Sequence, residues 1–505
     1  MRAWCLILLS ICSAAHSQSL QFTSEFESAR NHVAVKLLND DSTWFDVLRY
    51  NKAAHDLTVE RRNKQNGNIL WFAPLKLDSV NANWFNYEEL DYLFFAYGRT
   101  LYFVFEKALN NKKTIYLKSI DSAGKCSGFK ELGFLERDAQ VSAYDFVIKQ
   151  KQGVLFLAGE QYYTNNTAKK VVFLYDLKSS KIIWVKKLPL ENSLSGFSSN
   201  FAWNARNDLF YISGSPRCSG YRRQYINHNQ TTQPIFSYDS LVVNKLSHPL
   251  NEMRRASVYI KDSLRLKSIV LGVDTEEVMV TLHYAEEKEA MNGKQFFVAQ
   301  KWDADLHTNL LQRKIEWDPS LVQQLTFFDG GDYNGAHEKD YALLDHFEDT
   351  EYRYTLAQRK EENYDKELLF WRTNLKDGAT TGATVIPRKV YYLPNRVKFR
   401  HPGSVIPLVY NHHFYCFVLE HRANKKFGAG QFNYHGFIQQ NYLEGGCLVA
   451  YQINAEGRPN KMVLFRNGEY NYVPLPYESN QQDVVFYFSK GRKEKFAILK
   501  LNPSP

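Results

Sequence analysis

Val171-Val172-Phe173-Leu174-Tyr175-Asp176-Leu177, then Lys178-Ser179-Ser180, then Lys181-Ile182-Ile183-Trp184-Val185: two β-branched and aromatic runs joined by a short polar turn. Such residues pack well on a pleated surface, and a polar turn between two such runs marks antiparallel strands. A tighter pair precedes them, 144–149 with 154–158, separated by Lys151-Gln152-Gly153. The grouping recurs. Paired runs occupy 92–97 with 100–106, 201–204 with 208–213, 269–273 with 278–284, 341–347 with 351–358, and 405–410 with 412–419. A third run follows most pairs and closes on a polar residue: Asp121, Asp176, Asp303, Asn374, Asn454 and Asn502.

The intervals between these closing residues are 55, 127, 71, 80 and 48, and the long one fits two units with a missing marker near Tyr238-Asp239-Ser240. Repeated antiparallel units of up to four strands are the signature of a β-propeller, in which radial closure limits exposed edges. Seven blades are expected over residues 69–505, with six and eight as the neighbouring counts. The last unit stops at its third strand, so residues 68–77 are expected to supply its outer strand and close the ring.

Residues 18–68 read differently. Asp40-Asp41-Ser42-Thr43 offers helix caps, and Trp44, Val47, Leu48 and Ala54 recur at helical spacing, which predicts a short helix over 43–57 in an N-terminal extension. Ahead of it, Met1-Arg2, an apolar run from Ala3 to Cys12, and the small residues Ser13, Ala14, Ala15 and Ser17 form a signal-peptide pattern with cleavage after Ser17. No later stretch is long and apolar enough to span a bilayer, so a secreted, extracellular chain without a membrane span is expected. Asn165-Asn166-Thr167 and Asn229-Gln230-Thr231 are acceptors for N-glycosylation on that route.

An oxidising compartment favours disulfides. Of Cys126, Cys218, Cys416 and Cys447, the last two fall in one repeat unit and are the expected pair. Aromatic residues make up 15% of the chain, which marks a folded protein. The net charge of +9 is spread over 63 basic and 54 acidic residues, so clusters such as Arg61-Arg62-Asn63-Lys64 and Arg492-Lys493-Glu494-Lys495 read as solvated strand edges. No nucleic-acid-binding module is present, and none is expected as partner.

No G-x-S-x-G, H-E-x-x-H, C-x-x-C or Walker pattern occurs. The glycine-rich segment 329–340 fails the calcium-loop template, because Gly330 and Tyr341 stand where acidic ligands belong. Asp345, Glu348, Asp349 and Glu351 crowd one hairpin tip, and His412 and His413 are read as adjacent strand residues facing opposite ways. Neither arrangement nominates a catalytic residue, metal or cofactor. The expected function is an extracellular binding module that meets a protein or glycan through its loops. Tyr221, Arg222, Arg223 and Tyr225, in a loop over 218–233, are the candidate contacts, since Tyr and Arg often anchor interfaces. A secreted hydrolase or lyase with its site in a central funnel is the competing class.

Overall fold

The computed structural model describes residues 20–501 except 77–91, 137–140, 164–167, 191–200, 259–263, 287–294, 317–340, 392–404, 422–437, 440–445 and shorter gaps of one to three residues. Every element described is a β-strand, and the strands form eight sheets in sequence order. Blade 3 shows the pattern. Val141–Lys151, Val154–Tyr163, Ala168–Asp176 and Lys181–Leu190 pair antiparallel, each with the next. Blades 2, 5, 6 and 7 begin at Tyr92–Tyr97, Leu264–Val273, Tyr341–Glu348 and Ile406–Tyr410 and run the same way.

The first strands of blades 4, 5 and 6, with Phe201–Trp203 leading blade 4, touch one another, so first strands line the centre and fourth strands the rim. Apolar clusters lie between neighbouring blades, not within them. They join blades 1–2, 2–3, 3–4, 4–5, 6–7 and 7–8, and a seventh joins blade 8 back to blade 1. Blades 5 and 6 are tied by Lys301 Nζ, which donates to the Leu375 carbonyl at 3.0 Å. The molecule is an eight-bladed propeller. Middle strands are covered on both faces, which explains their near-continuous apolar runs: His413–His421 is buried at all seven interior positions.

Four expectations are corrected here. The predicted helix over 43–57 is the hairpin Trp44–Asn51 and Asp56–Asn63, the middle strands of blade 1, which starts with His32–Asn39 and ends with Ile69–Pro74. Phe45 to Tyr50 are all buried, so apolar residues fall at helical and strand spacings alike. Asp41, read as a helix cap, instead accepts from the Thr43 N–H at 2.7 Å within the turn between strands. The expected seven blades are therefore eight, because the segment taken as an extension is itself a blade.

Ring closure differs too. Ile69–Pro74 stays on blade 1, and the outer edge of blade 8 is supplied by Gln21–Phe22 and Phe26–Glu27, both paired with Lys493–Lys500. A second clasp crosses on the inner side, where Tyr477–Ser479 pairs parallel with Leu37 to Asn39.

The expected disulfide is also corrected. In blade 7, Cys416 lies opposite Tyr451 and Cys447 opposite Glu420, so the cysteines are four ladder positions apart. That offset is roughly 13 Å along the strands, beyond the ~7 Å a disulfide spans.

Gly272, on the inner strand of blade 5, shows how closely the blades approach. A Cβ there would collide with the guanidinium of Arg353 on blade 6, a side chain only 2% exposed. Gly272→Ala is expected to destabilise the ring by about 1–3 kcal/mol. Unaltered thermal unfolding of that variant would show that the two blades do not meet there.

Candidate binding surfaces

Among the described residues, the mouth of the ring and an arm on blade 4 offer surfaces for a partner. At the mouth, a groove of about 690 Å³ opens between Glu348 of blade 6, Tyr410 and Asn411 of blade 7, and the crossing segment with Glu478, Gln481 and Gln482. Its charged groups serve the fold. Glu348 accepts from Arg353 Nε at 2.6 Å, and Glu478 from Lys36 Nζ at 3.0 Å. Asp349 closes the adjoining turn by accepting from the backbone N–H of Glu351 and Tyr352 at 2.8 and 2.7 Å.

Burial works to raise the Asp349 carboxyl, but the Tyr354 hydroxyl, those two N–H groups and His412 outweigh it and hold it below the usual range. Tyr354 donates to Asp349 Oδ2 at 2.7 Å, and burial together with that carboxylate pushes its phenol up. His412 Nδ1 lies 3.2 Å from the same oxygen. Asn411 and His412 have φ of 50° and 58°, the turn geometry of a tight hairpin. His412 is thus a turn residue bound to blade 6 and not a strand residue as expected. The acidic group at this tip is a structural one, with Glu348 and Asp349 both engaged.

The arm belongs to blade 4. Leu209–Ile226 and Asn229–Leu246 are 18 residues each and pair along their whole length. Their neighbours are far shorter. Among the described residues Phe201–Trp203 pairs only with Leu209 to Tyr211, and Met253–Val258 only with Leu241 to Leu246. From Ser215 outward the pair therefore continues as a two-stranded ribbon beyond the sheet. Register shifts at Ser215/Pro216 and Cys218/Gly220 mark its base, where bulges accommodate a proline and a glycine. The missing repeat marker, looked for at Tyr238-Asp239-Ser240, falls inside this long strand, and the turn it should mark follows Leu246.

Tyr221, Arg222, Arg223 and Tyr225 all lie on the ribbon, opposite Pro234, Gln233, Thr232 and Gln230. They occupy a paired strand and not a loop as expected. Asn229 begins the return strand, beside the tip. Asn165 and the segment 329–340 lie outside the described residues.

One basic cluster expected at a solvated edge is buried instead. Arg49 is 1% exposed and donates to Glu60 at 2.6 Å and to Glu494 of blade 8 at 2.7 Å. Arg62 pairs with the same Glu60 oxygen at 2.8 Å, and its guanidinium carbon sits 3.9 Å from the ring centroid of Phe26 on the N-terminal strand. Lys64 reaches Asp483 at 2.9 Å, and Arg61 grips Asp46 at 2.9 Å between the rings of Trp44 and Trp71. Arg61-Arg62-Asn63-Lys64 is therefore a buried clasp between blades 1 and 8, not a solvated edge. A partner aspartate or glutamate spaced along the neighbouring strands was the only available signal.

Among the described residues no three of His, Cys, Asp and Glu converge as metal ligands, and no helix is long and apolar enough to cross a membrane. No protein-family model matches the chain, and no curated protein matches it in sequence. In structure the chain is similar to the β-propeller domain of the Trilobed protease from Pyrococcus furiosus, at 10% identity over 87% of this chain and 98% of that one, with a TM-score of 0.35. It is similar also to Porphyromonas gingivalis dipeptidyl peptidase 4, at 9% identity over 92% and 56% of the two chains and a TM-score of 0.41. Polysaccharide lyase Uly1 gives 9% identity, 81% and 89% coverage, and a TM-score of 0.35. Likenesses this loose carry no chemistry across.

Proposed function

We propose that this chain is a secreted glycoprotein that acts as an extracellular binding module, with the arm of blade 4 as its contact element. The carrying observation is the ribbon itself, a strand pair that continues well past both of its neighbours. An isolated two-stranded ribbon is marginal in water, so one extended beyond its sheet gains from a partner surface. Strands on a rigid ring also present contacts with little ordering cost on binding. The signal-peptide pattern over 1–17 and the acceptor Asn229 support the secretory route.

The test is expression from the chain's own N-terminus in secreting cells, followed by binding of the recovered protein to extracellular matrix. Medium containing a glycosylated chain that starts at Gln18 is expected. Replacing Tyr221, Arg222, Arg223 and Tyr225 together with alanine is expected to weaken matrix binding at least tenfold while thermal unfolding stays unchanged. Retained binding by a folded quadruple variant would refute the assignment.

A further inference from the structure

The groove at the mouth stands apart from the arm and has a structural origin of its own. The innermost strand of blade 8 is only Asn471–Tyr472, paired with Ser489 and Phe488. Beyond it the chain leaves the blade and crosses to Leu37 to Asn39 of blade 1. Side chains cap the inner edge that it vacates. The Val485 N–H donates to the Tyr477 hydroxyl at 3.2 Å, and Asn39 Nδ2 donates to the Asp483 carbonyl at 2.7 Å. The detour leaves the groove of about 690 Å³ between Ile406–Tyr410 and the crossing segment. Its crossing wall is pinned, since Ser479 Oγ donates to the Asn39 carbonyl and Gln481 Nε2 to the Asp40 carbonyl, both at 2.9 Å.

The walls are neutralised from behind. The Glu348 side chain is 31% exposed and its partner Arg353 2%, while Glu478 is 40% exposed and its partner Lys36 13%. Both carboxylates line the groove with their counter-ions on the protein side, so neither calls for a charged guest. Among the described residues no lysine, arginine or histidine lines the groove, which leaves an anion without a cation to meet. The Tyr410 hydroxyl and the Asn411 and Gln482 amides line it with no hydrogen-bond partner among the described residues. Hydroxyls and amides both donate and accept, and a carboxylate accepts strongly from a hydroxyl. Phe347 and Tyr410 add aromatic rings, whose negative faces suit the C–H face of a sugar. The matching guest is uncharged, rich in hydroxyls and faced with C–H groups. We propose that the mouth groove is a second binding site, which takes a short neutral saccharide.

The probes are maltotriose, cellotriose and triacetylchitotriose, each titrated calorimetrically into the full-length protein. Cationic chitotriose and anionic trigalacturonate serve as charged counterparts. At least one neutral trisaccharide is expected to bind, more tightly than either charged one. Tyr410→Phe with Gln482→Ala removes two hydrogen-bonding groups, keeps the Tyr410 ring, and is expected to weaken binding about tenfold with unchanged thermal unfolding. Glu469→Gln, at an exposed site on blade 8, and the quadruple alanine variant of the arm are expected to bind as wild type does.

No binding by any of the three neutral trisaccharides would overturn the proposal, and so would full binding by the folded groove variant. Tighter binding of chitotriose than of its acetylated form would reassign the groove to amines. Saccharide binding lost in the arm variant and kept in the groove variant would move the saccharide to the arm. Matrix binding by the arm is read separately, so either site can fail without the other.

Discussion

Glu60→Gln is expected to destabilise the protein by about 3–5 kcal/mol at pH 7, because it strips the shared counter-charge from two buried guanidiniums. Glu60 accepts from Arg49 and Arg62 on one oxygen, and Arg49 is left with Glu494 alone. Burial acts to raise the Glu60 carboxyl, but the two arginines outweigh it and hold it below the usual carboxylate range. A depressed folded-state pKa has a definite consequence. The stabilisation is fully present above the unfolded carboxylate value of about 4.3, and it is lost as pH falls through the lower folded value. Wild-type stability should therefore decline on acidification in that window, and the Gln variant should decline less. Denaturant unfolding at pH 7 and at pH 3 measures both effects. A variant as stable as wild type at pH 7 would show that solvent, not Glu60, compensates the arginines.

Removing residues 18–29 is expected to open the ring. Those residues supply the outer edge of blade 8, through Gln21–Phe22 and Phe26–Glu27, and they carry more than backbone pairing. Phe26 stacks on Phe496 at 5.7 Å and covers Arg62, while Phe22 meets Phe465 and Phe488 at 5.7 and 5.3 Å. Thr23 adds a backbone bond to the Phe496 carbonyl at 2.9 Å. Losing the two partly buried aromatic contacts costs about 2–3 kcal/mol, and the bare edge of Lys493–Lys500 becomes a template for aggregation. A lower melting temperature with concentration-dependent association is the expected outcome. A truncated chain that melts with the full one would mean that the inner clasp at Tyr477–Ser479 is sufficient by itself.

Much of the repeat was legible because its marker is local chemistry. Asp176 accepts from the N–H of Lys178 and Ser179, Asp303 from His307 and Thr308, and Asn374 from Lys376 and Asp377. A turn closed by an Asp or Asn side chain is written within three to six consecutive residues, so a reader of sequence can see it. Asn63 makes the same turn with Gln65 and Asn66, but the blade it closes was hidden because an earlier strand, Trp44–Asn51, is buried on both faces and mimics a helix. That single omission removed a blade from the count and misplaced the closing strand.

The clasp and the arm were hidden for a different reason. Lys64 and Asp483 are 419 residues apart, and Arg49 and Glu494 are 445 apart, so nothing local distinguishes a buried cation from a surface one. In the arm, Pro216, Gly220 and the polar run 229–233 carry turn signals, while the ladder that overrides them depends on register across the ribbon. The strand setting of Tyr221, Arg222, Arg223 and Tyr225 was not readable from composition.

The most direct measurement excises the arm: residues 216–238 are replaced by a two-residue Asn-Gly turn, and the shortened chain is compared with the intact one for thermal unfolding and for binding to extracellular matrix. Since both neighbouring strands of blade 4 pair below the cut, unchanged unfolding with binding lost is the predicted result. Full binding by the folded, armless ring would contradict the account and move the contact surface to the mouth.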